Sequence, residues 1–182
     1  QSLARGARMH GAKIHEGVRV TGFEMDGRRI KAVLTTEGRI ETETVVNCGG
    51  QWAREIGVMA GINVPLQPVK HQYIVTEKLE GLSPDSATIR DPDRLTYFKE
   101  EVGGLMMGGY EPNPIAWTTG DVPSDFQFKL FDDWEHFEQH LTAAIARIQA
   151  LETAGVRQMI NGPESFTPDG NFILGAAPEC TN

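Results

Sequence analysis

A chain of 182 residues, 40% hydrophobic and 23% charged, is long enough to bury a core and has the size of one large domain or a domain and a half. A net charge of −8 with scattered basic residues, clustered only in Arg28-Arg29-Ile30-Lys31, argues against a nucleic-acid binder. No apolar run approaches the ~18 residues of a membrane span. Cys48 and Cys180 have neither metal nor redox spacing, which points away from a disulfide framework and toward a reducing compartment.

The opening "QSLARGARMHGAKIHEG" reads as a helix already under way, with Leu3, Ala7 and His10 on one face and no capping residue or starting Met in front. At the far end "GNFILGAAPECTN" stops just after a strand-like run, so the expectation is a piece of a longer protein. Residues 12–25 alternate as a strand with Ile14, Val18 and Val20 apolar, and Asp26-Gly27-Arg28-Arg29 reads as a hairpin turn. Residues 30–35 and 39–48 continue the meander, and 44–48 is apolar enough for a strand buried on both faces. A helix is predicted over 51–60 with Gly61 as its left-handed cap. Pro65 and Pro68 then mark a crossover, because each fixes its own φ and pushes its predecessor toward extended geometry.

From Val69 the texture changes to longer strands: "VKHQYIVTEKL", "SATIRD", "LTYFKEE" and "GLMMGGY", divided by turn residues. They predict an antiparallel sheet in a second domain, ended by Pro112 and Pro114. Residues 132–151 form an amphipathic helix with Trp134, Phe137, Leu141, Ile145 and Ile148 at helical spacing. A strand returns at 157–160, and "NGPESFTPDGNFILG" reads as a turn-rich strand pair. The fold class is therefore α+β mixed with α/β: a small β-meander and a strand-Gly-Gly-helix unit joined to an antiparallel sheet with a flanking helix. The expected divisions are 1–65, 66–160 and 161–182.

Several stretches suggest chemistry. In "TVVNCGGQWAREIG" an apolar strand runs into two glycines and a helix, the way nucleotide-binding folds bring backbone up to a cofactor, yet no phosphate loop precedes it. His136 and His140 sit four apart, but Phe137 stands where a zinc protease needs its general-base Glu, so no metal is expected there. "GGLMMGGY" lacks the Gly-Lys-Ser/Thr ending of a phosphate loop and reads as a strand whose glycines are either a pocket floor or plain turns. His71 and Tyr97 each lie in a strand. Either is ordinarily structural, but together on one face over a glycine floor they could move protons. Cys48 has no base nearby in sequence and reads as a buried, inert thiol.

Taken together, "RGARMHGAKIHEGVRVTGFE", "ETETVVNCGGQWAREIGVMAGINVPLQPVKHQYIVTE" and "GPESFTPDGNFILGAAPE" resemble the D-amino-acid oxidase-like family of FAD-dependent oxidoreductases, in its sarcosine and dimethylglycine dehydrogenase branch. The resemblance implies that the strand and turn Val45–Trp52 pass the flavin, with Cys48, Gly49, Gly50 and Trp52 against the cofactor and the Val20 backbone at the adenine. Bare backbone at Gly49 and Gly50 would permit that approach. The phosphate loop and a histidine that often carries the flavin are expected upstream of Gln1, so this piece alone is expected to hold FAD weakly and to be inactive.

The resemblance also places His71, Tyr97, Gly109 and Tyr110 in the amine pocket, His71 and Tyr97 as the catalytic pair; Phe98 stands where the family has a second tyrosine. It implies FAD as cofactor, folate in a further C-terminal domain, a small methylated amino acid as substrate, and oxygen or an electron-transfer protein as acceptor. Nucleic-acid and membrane partners are not implied, and the location is cytoplasmic, or the mitochondrial matrix in a eukaryote. A second reading stays open, because the branch also resembles a regulatory subunit of a mitochondrial phosphatase that keeps the fold.

Overall fold

Two antiparallel sheets carry the chain, and the computed structural model describes them within residues 1–118 and 132–182. Residues 1–66 with 171–182 form one unit and Gln67–Gly170 the other. The mixed α/β class expected from the sequence is what the structure has. Residues 119–131 of the expected second domain lie outside the described residues.

The first unit starts with helix α1 (Ser2–Met9) and continues into a meander of β1 (Val20–Asp26), β2 (Arg29–Thr35) and β3 (Gly38–Glu41), paired in that order. Asp26 and Arg29 close the first hairpin, with Gly27 at φ 56°, a value that favours glycine. Strand pairing begins only at Val20, because left-handed turns at Gly11 (φ 90°) and Gly17 (φ 73°) interrupt the run predicted from residue 12. Ile30 and Ala32 are fully buried beneath the sheet. The end of the chain is tied here as well: the Asn182 side chain donates to the Ile30 carbonyl at 2.8 Å and accepts from the Ile30 amide at 2.8 Å.

The strand predicted over 44–48 is absent. Val46 is 78% exposed and Cys48 is exposed, whereas Cys180 is the buried thiol. No described strand lies beside this run to accept its backbone bonds, and a strand without partners has nothing to hold it. Thr42 instead bonds locally, its hydroxyl donating to the Thr44 carbonyl and accepting from the Thr44 amide. The same reasoning covers residues 172–174, expected in a strand pair and found outside any sheet, with Phe172 85% and Leu174 89% exposed. A 3-10 turn at Gly50–Trp52 leads into helix α2 (Ala53–Met59), which Gly61 caps at φ 72° as predicted.

The second unit is a five-stranded sheet ordered β5-β6-β7-β4-β8: β4 Gln67–Thr76, β5 Ile89–Asp91, β6 Thr96–Glu101, β7 Gly104–Gly109 and β8 Val156–Phe166. Interior strand β4 pairs with β8 over its whole length, and β8 runs unbroken through the division expected at 160/161. Pro163 is tolerated because β8 is an edge strand, so its missing N–H removes no interior bond. Beyond β7 the chain continues along β4, where Lys70 N donates to the Ile115 carbonyl and Trp117 N to the Pro68 carbonyl, both at 2.9 Å.

Helix α3 (Trp134–Arg147) covers one face of this sheet. Asp133 caps it, accepting the His136 amide at 3.1 Å. Ile148 then turns extended (φ −131°, ψ 92°), so the helix ends short of the predicted residue 151 and a 3-10 turn at Gln149–Glu152 follows. Phe137 and Ala144 pack on Ile74, Phe98, Leu105, Met107 and Met159 to make the core. Each such large side chain stabilises by ~1.5–3 kcal/mol when fully buried. His140, 3% exposed, shares that helix face, and the apolar spacing in the sequence gives no sign of it.

Candidate active site

Side chains alternate along a strand, so the sheet register decides which candidates meet. Gln72, Ile74, Thr96, Phe98 and Met107 are buried under α3. His71 and Tyr73 on β4, Tyr97 on β6 and Gly108 on β7 therefore lie on the opposite face. Gly108 is the register partner of both Tyr97 and Tyr73, so the three form a row across adjacent strands, with His71 next along β4. A side chain on Gly108 would collide with the Tyr97 hydroxyl and ring carbons. Tyr97 thus lies flat across bare β7 backbone, its hydroxyl toward β4.

Two further groups join this face that the sequence reading did not single out. His71 Nδ1 stands 3.4 Å from Glu164 Oε2, the cross-strand diagonal neighbour on β8, with the His71 side chain 17% exposed. Arg90, the direct partner of Tyr97 on β5, donates to the Tyr110 hydroxyl. The Tyr110 ring meets Tyr97 edge-on at 5.8 Å. Burial first, then the negative charge of Glu164 and the neighbouring Tyr73, push the Tyr97 phenol up to about 12, against the opposing pull of Arg90. Tyr97 is accordingly a neutral hydroxyl throughout the physiological range, able to donate and accept hydrogen bonds.

Gly109, expected in this pocket, is on the other face. A side chain there would run into the His140 ring, so its bareness serves the packing of α3. The glycine beneath Tyr97 on this face is Gly108, one residue earlier. The signal was the strand alternation, but fixing its phase required the register.

His136 and His140 form no metal centre with a third ligand; among the described residues no group of three His, Cys, Asp or Glu is placed to hold one. They grip a carboxylate instead. Glu111 Oε2 lies 2.7 Å from His136 Nε2 and 3.1 Å from His140 Nε2, with the Glu111 side chain 4% exposed. Burial pushes this carboxyl up, but hydrogen bonds and charge from His140 and His136 outweigh it and hold the group below the usual carboxylate value.

In the first unit Asn47 organises the glycine turn, its side chain donating to the Ala53 carbonyl at 2.8 Å and accepting the Gly49 amide at 3.1 Å. Gly49 has ordinary backbone angles (φ −71°, ψ 1°). A side chain on it would meet Ile56 Cδ1 at 2.5 Å and Ala53 Cα at 3.2 Å, so the chain's own packing already accounts for this glycine. Gly50 differs: φ is 56°, and nothing lies within 4 Å of where its side chain would stand. Bare backbone facing open space, beside exposed Cys48 and half-buried Trp52, is the surface a flat cofactor needs. Val20 begins β1 opposite Thr35, just before an irregularity in the pairing.

A family model described as FAD dependent oxidoreductase (DAO) matches residues 1–182. Mitochondrial sarcosine dehydrogenase from Homo sapiens is 44% identical over 98% of this chain, and the chain spans 20% of that protein. Mitochondrial pyruvate dehydrogenase phosphatase regulatory subunit from Mus musculus is 35% identical over 97% of the chain, again across 20% of its length. Among solved structures, L-proline dehydrogenase from P. horikoshii superposes with a TM-score of 0.79 at 27% identity, covering 98% of this chain and 46% of that one. The chain belongs to the FAD-dependent oxidoreductase family. At Gly50 no side chain of this chain stands in the way of the flavin that this membership implies.

Proposed function

We propose that the chain is the amine-binding sheet, with part of the flavin-binding unit, of an oxidoreductase that oxidises the N-methyl carbon of a methylated glycine, sarcosine or dimethylglycine. The observation that carries this reading is the convergence of the His71–Glu164 pair and Tyr97 on one sheet face over the bare backbone of Gly108. The likeness to sarcosine dehydrogenase supports the choice of substrate class.

A methylated glycine carries its nitrogen as an ammonium ion at neutral pH, and the nitrogen must lose that proton before its lone pair can form the C=N bond. His71 accepts the proton, and the Glu164 carboxylate stabilises the imidazolium that results. Tyr97, held neutral, hydrogen-bonds the nitrogen without adding charge. Arg90, cationic and on the same face, faces the substrate carboxylate. FAD, when bound, accepts the two electrons and the hydrogen of the methyl C–H bond. The substrate iminium then takes up water and releases formaldehyde and the demethylated amine. Val20, Cys48, Gly50 and Trp52 are the residues of this chain proposed to contact the cofactor.

Anaerobic addition of sarcosine or dimethylglycine to the full-length protein should bleach its flavin absorption. The likeness to a phosphatase regulatory subunit supports the other reading, a protein that keeps the fold without the reaction. A full-length protein whose flavin is not reduced by either amine establishes that second reading and refutes the first.

A further inference from the structure

We infer that Glu111, clamped by His136 and His140, is a positioning residue that fixes the side chain of Tyr110 on the amine-binding face. The inference rests on the proposed amine site. Three grips converge on Tyr110. On one side the His140 ring occupies the space above Gly109, which only a glycine leaves free. On the other, Glu111 Oε2 hydrogen-bonds His136 Nε2 at 2.7 Å and packs 3.1 Å from His140 Nε2. Residues 109 and 111 are thus both turned toward α3, and alternation sends the side chain of residue 110 to the opposite face. There it meets Tyr97 edge-on and accepts from Arg90. The third grip is on the backbone: Tyr110 N donates to the Leu95 carbonyl at 2.7 Å, and Leu95 has φ 54°, a strained value for a branched side chain, just before β6 begins.

A buried carboxylate is an expensive way to hold a loop, since apolar residues of the same volume often stabilise as well or better. One oxygen, Glu111 Oε1, has no hydrogen-bond partner among the described residues. What the His136–Glu111 hydrogen bond adds over apolar packing is direction. It pins the chain immediately after β7 at one register, so Tyr110 presents one face to Tyr97 rather than several.

The test uses the full-length holoenzyme with Glu111→Gln, Tyr110→Ala and the double variant, and His136→Asn as a milder loosening that keeps the His140 contact. Glu111→Gln should raise KM for the methylated glycine about tenfold with kcat nearly unchanged, inside the ~10² that a displacement of about 1 Å can cause. The double variant should be no worse than Tyr110→Ala, because both changes act on one contact. Amide exchange at Tyr110 should quicken in Glu111→Gln and in His136→Asn. Additive KM effects, or unchanged exchange at Tyr110, overturn the inference. If the wild type oxidises no methylated glycine, the functional reading has failed, while the exchange measurement still decides the clamp.

Discussion

The Tyr97 hydroxyl occupies the space that a side chain on Gly108 would need. Residue 108 thereby shapes the face proposed to bind the amine although it contributes no functional group. Gly108→Ala should force the phenol off β7, adding an overpacking penalty of about 1–3 kcal/mol. In the full-length protein, amine-dependent flavin reduction should slow at least as much as in Tyr97→Phe. A wild-type rate in Gly108→Ala would mean that the orientation of Tyr97 is irrelevant to the reaction.

His71 and Glu164 should separate under mutation by role. Removing the proton acceptor in His71→Ala should slow flavin reduction by about 10² to 10⁴, the usual contribution of a general base. Glu164→Gln leaves the imidazole in place and removes only the carboxylate charge 3.4 Å from it, so its effect should be smaller and greatest at low substrate. Rapid-mixing measurements of flavin bleaching across substrate concentration check both. Equal losses in the two variants would show that Glu164 does more than support His71.

Tyr97 gives a pH signature. Its folded value of about 12 lies above the ordinary 10, so the neutral form is favoured by folding. A raised value contributes stability that is fully present below pH 10 and lost as pH rises through about 12. Ultraviolet difference titration of wild type against Tyr97→Phe should therefore show one phenol ionising near 12. Ionisation of that phenol near 10 would remove the argument that it acts as a neutral hydroxyl.

Glu111 predicts the opposite sign. Burial raises this carboxyl, but His140 and His136 lower it by more, for a net value below the ordinary 4.5. A depressed carboxyl contributes stability that is present above 4.5 and lost as pH falls through its folded value. Thermal melts should show Glu111→Gln losing less stability than wild type on acidification below pH 4.5. Parallel losses in the two proteins would contradict a depressed carboxyl at Glu111.

How much of this was legible in the sequence depended on whether an element finds its partner nearby. Strands β4 and β6 were readable from β-branched and aromatic residues between turn residues, and β7 from its short apolar run between glycines, because each pairs with a neighbour inside the described chain. Residues 44–48 and 172–174 carry the same apolar signal and form no strand, since periodicity reports the tendency to pair and not the presence of a partner. His71 and Tyr97 were noted on their strands and given a role by the resemblance, and the glycines of β7 were read as a floor or plain turns without fixing which one faces the two residues. Their neighbours Glu164 and Arg90 were not singled out, because they come from two other strands and only the register brings them together. Glu111 escaped for the same reason, being 25 residues from His136 in sequence and 2.7 Å away in space.

The two adjacent glycines of the first unit give the sharpest test of where the flavin lies. A methyl on Gly49 would press on Ile56 and Ala53, so Gly49→Ala should destabilise by about 1–3 kcal/mol whether or not a cofactor is near. That substitution cannot discriminate, and its flavin content would only follow its folding. At Gly50 a methyl meets nothing of this chain within 4 Å, and φ of 56° adds strain of about 1–2 kcal/mol for an L-residue. If Gly50 faced only solvent, Gly50→Ala would lower the melting temperature of the apoprotein modestly and leave flavin affinity unchanged. If the cofactor lies against it, the methyl must push the flavin away, and FAD content of the full-length protein should fall well beyond the loss of folded protein. Comparing apoprotein melting with FAD affinity in Gly49→Ala and Gly50→Ala isolates that effect, with the first variant as control for damage to the turn. An unchanged affinity in Gly50→Ala would place the cofactor elsewhere on the unit.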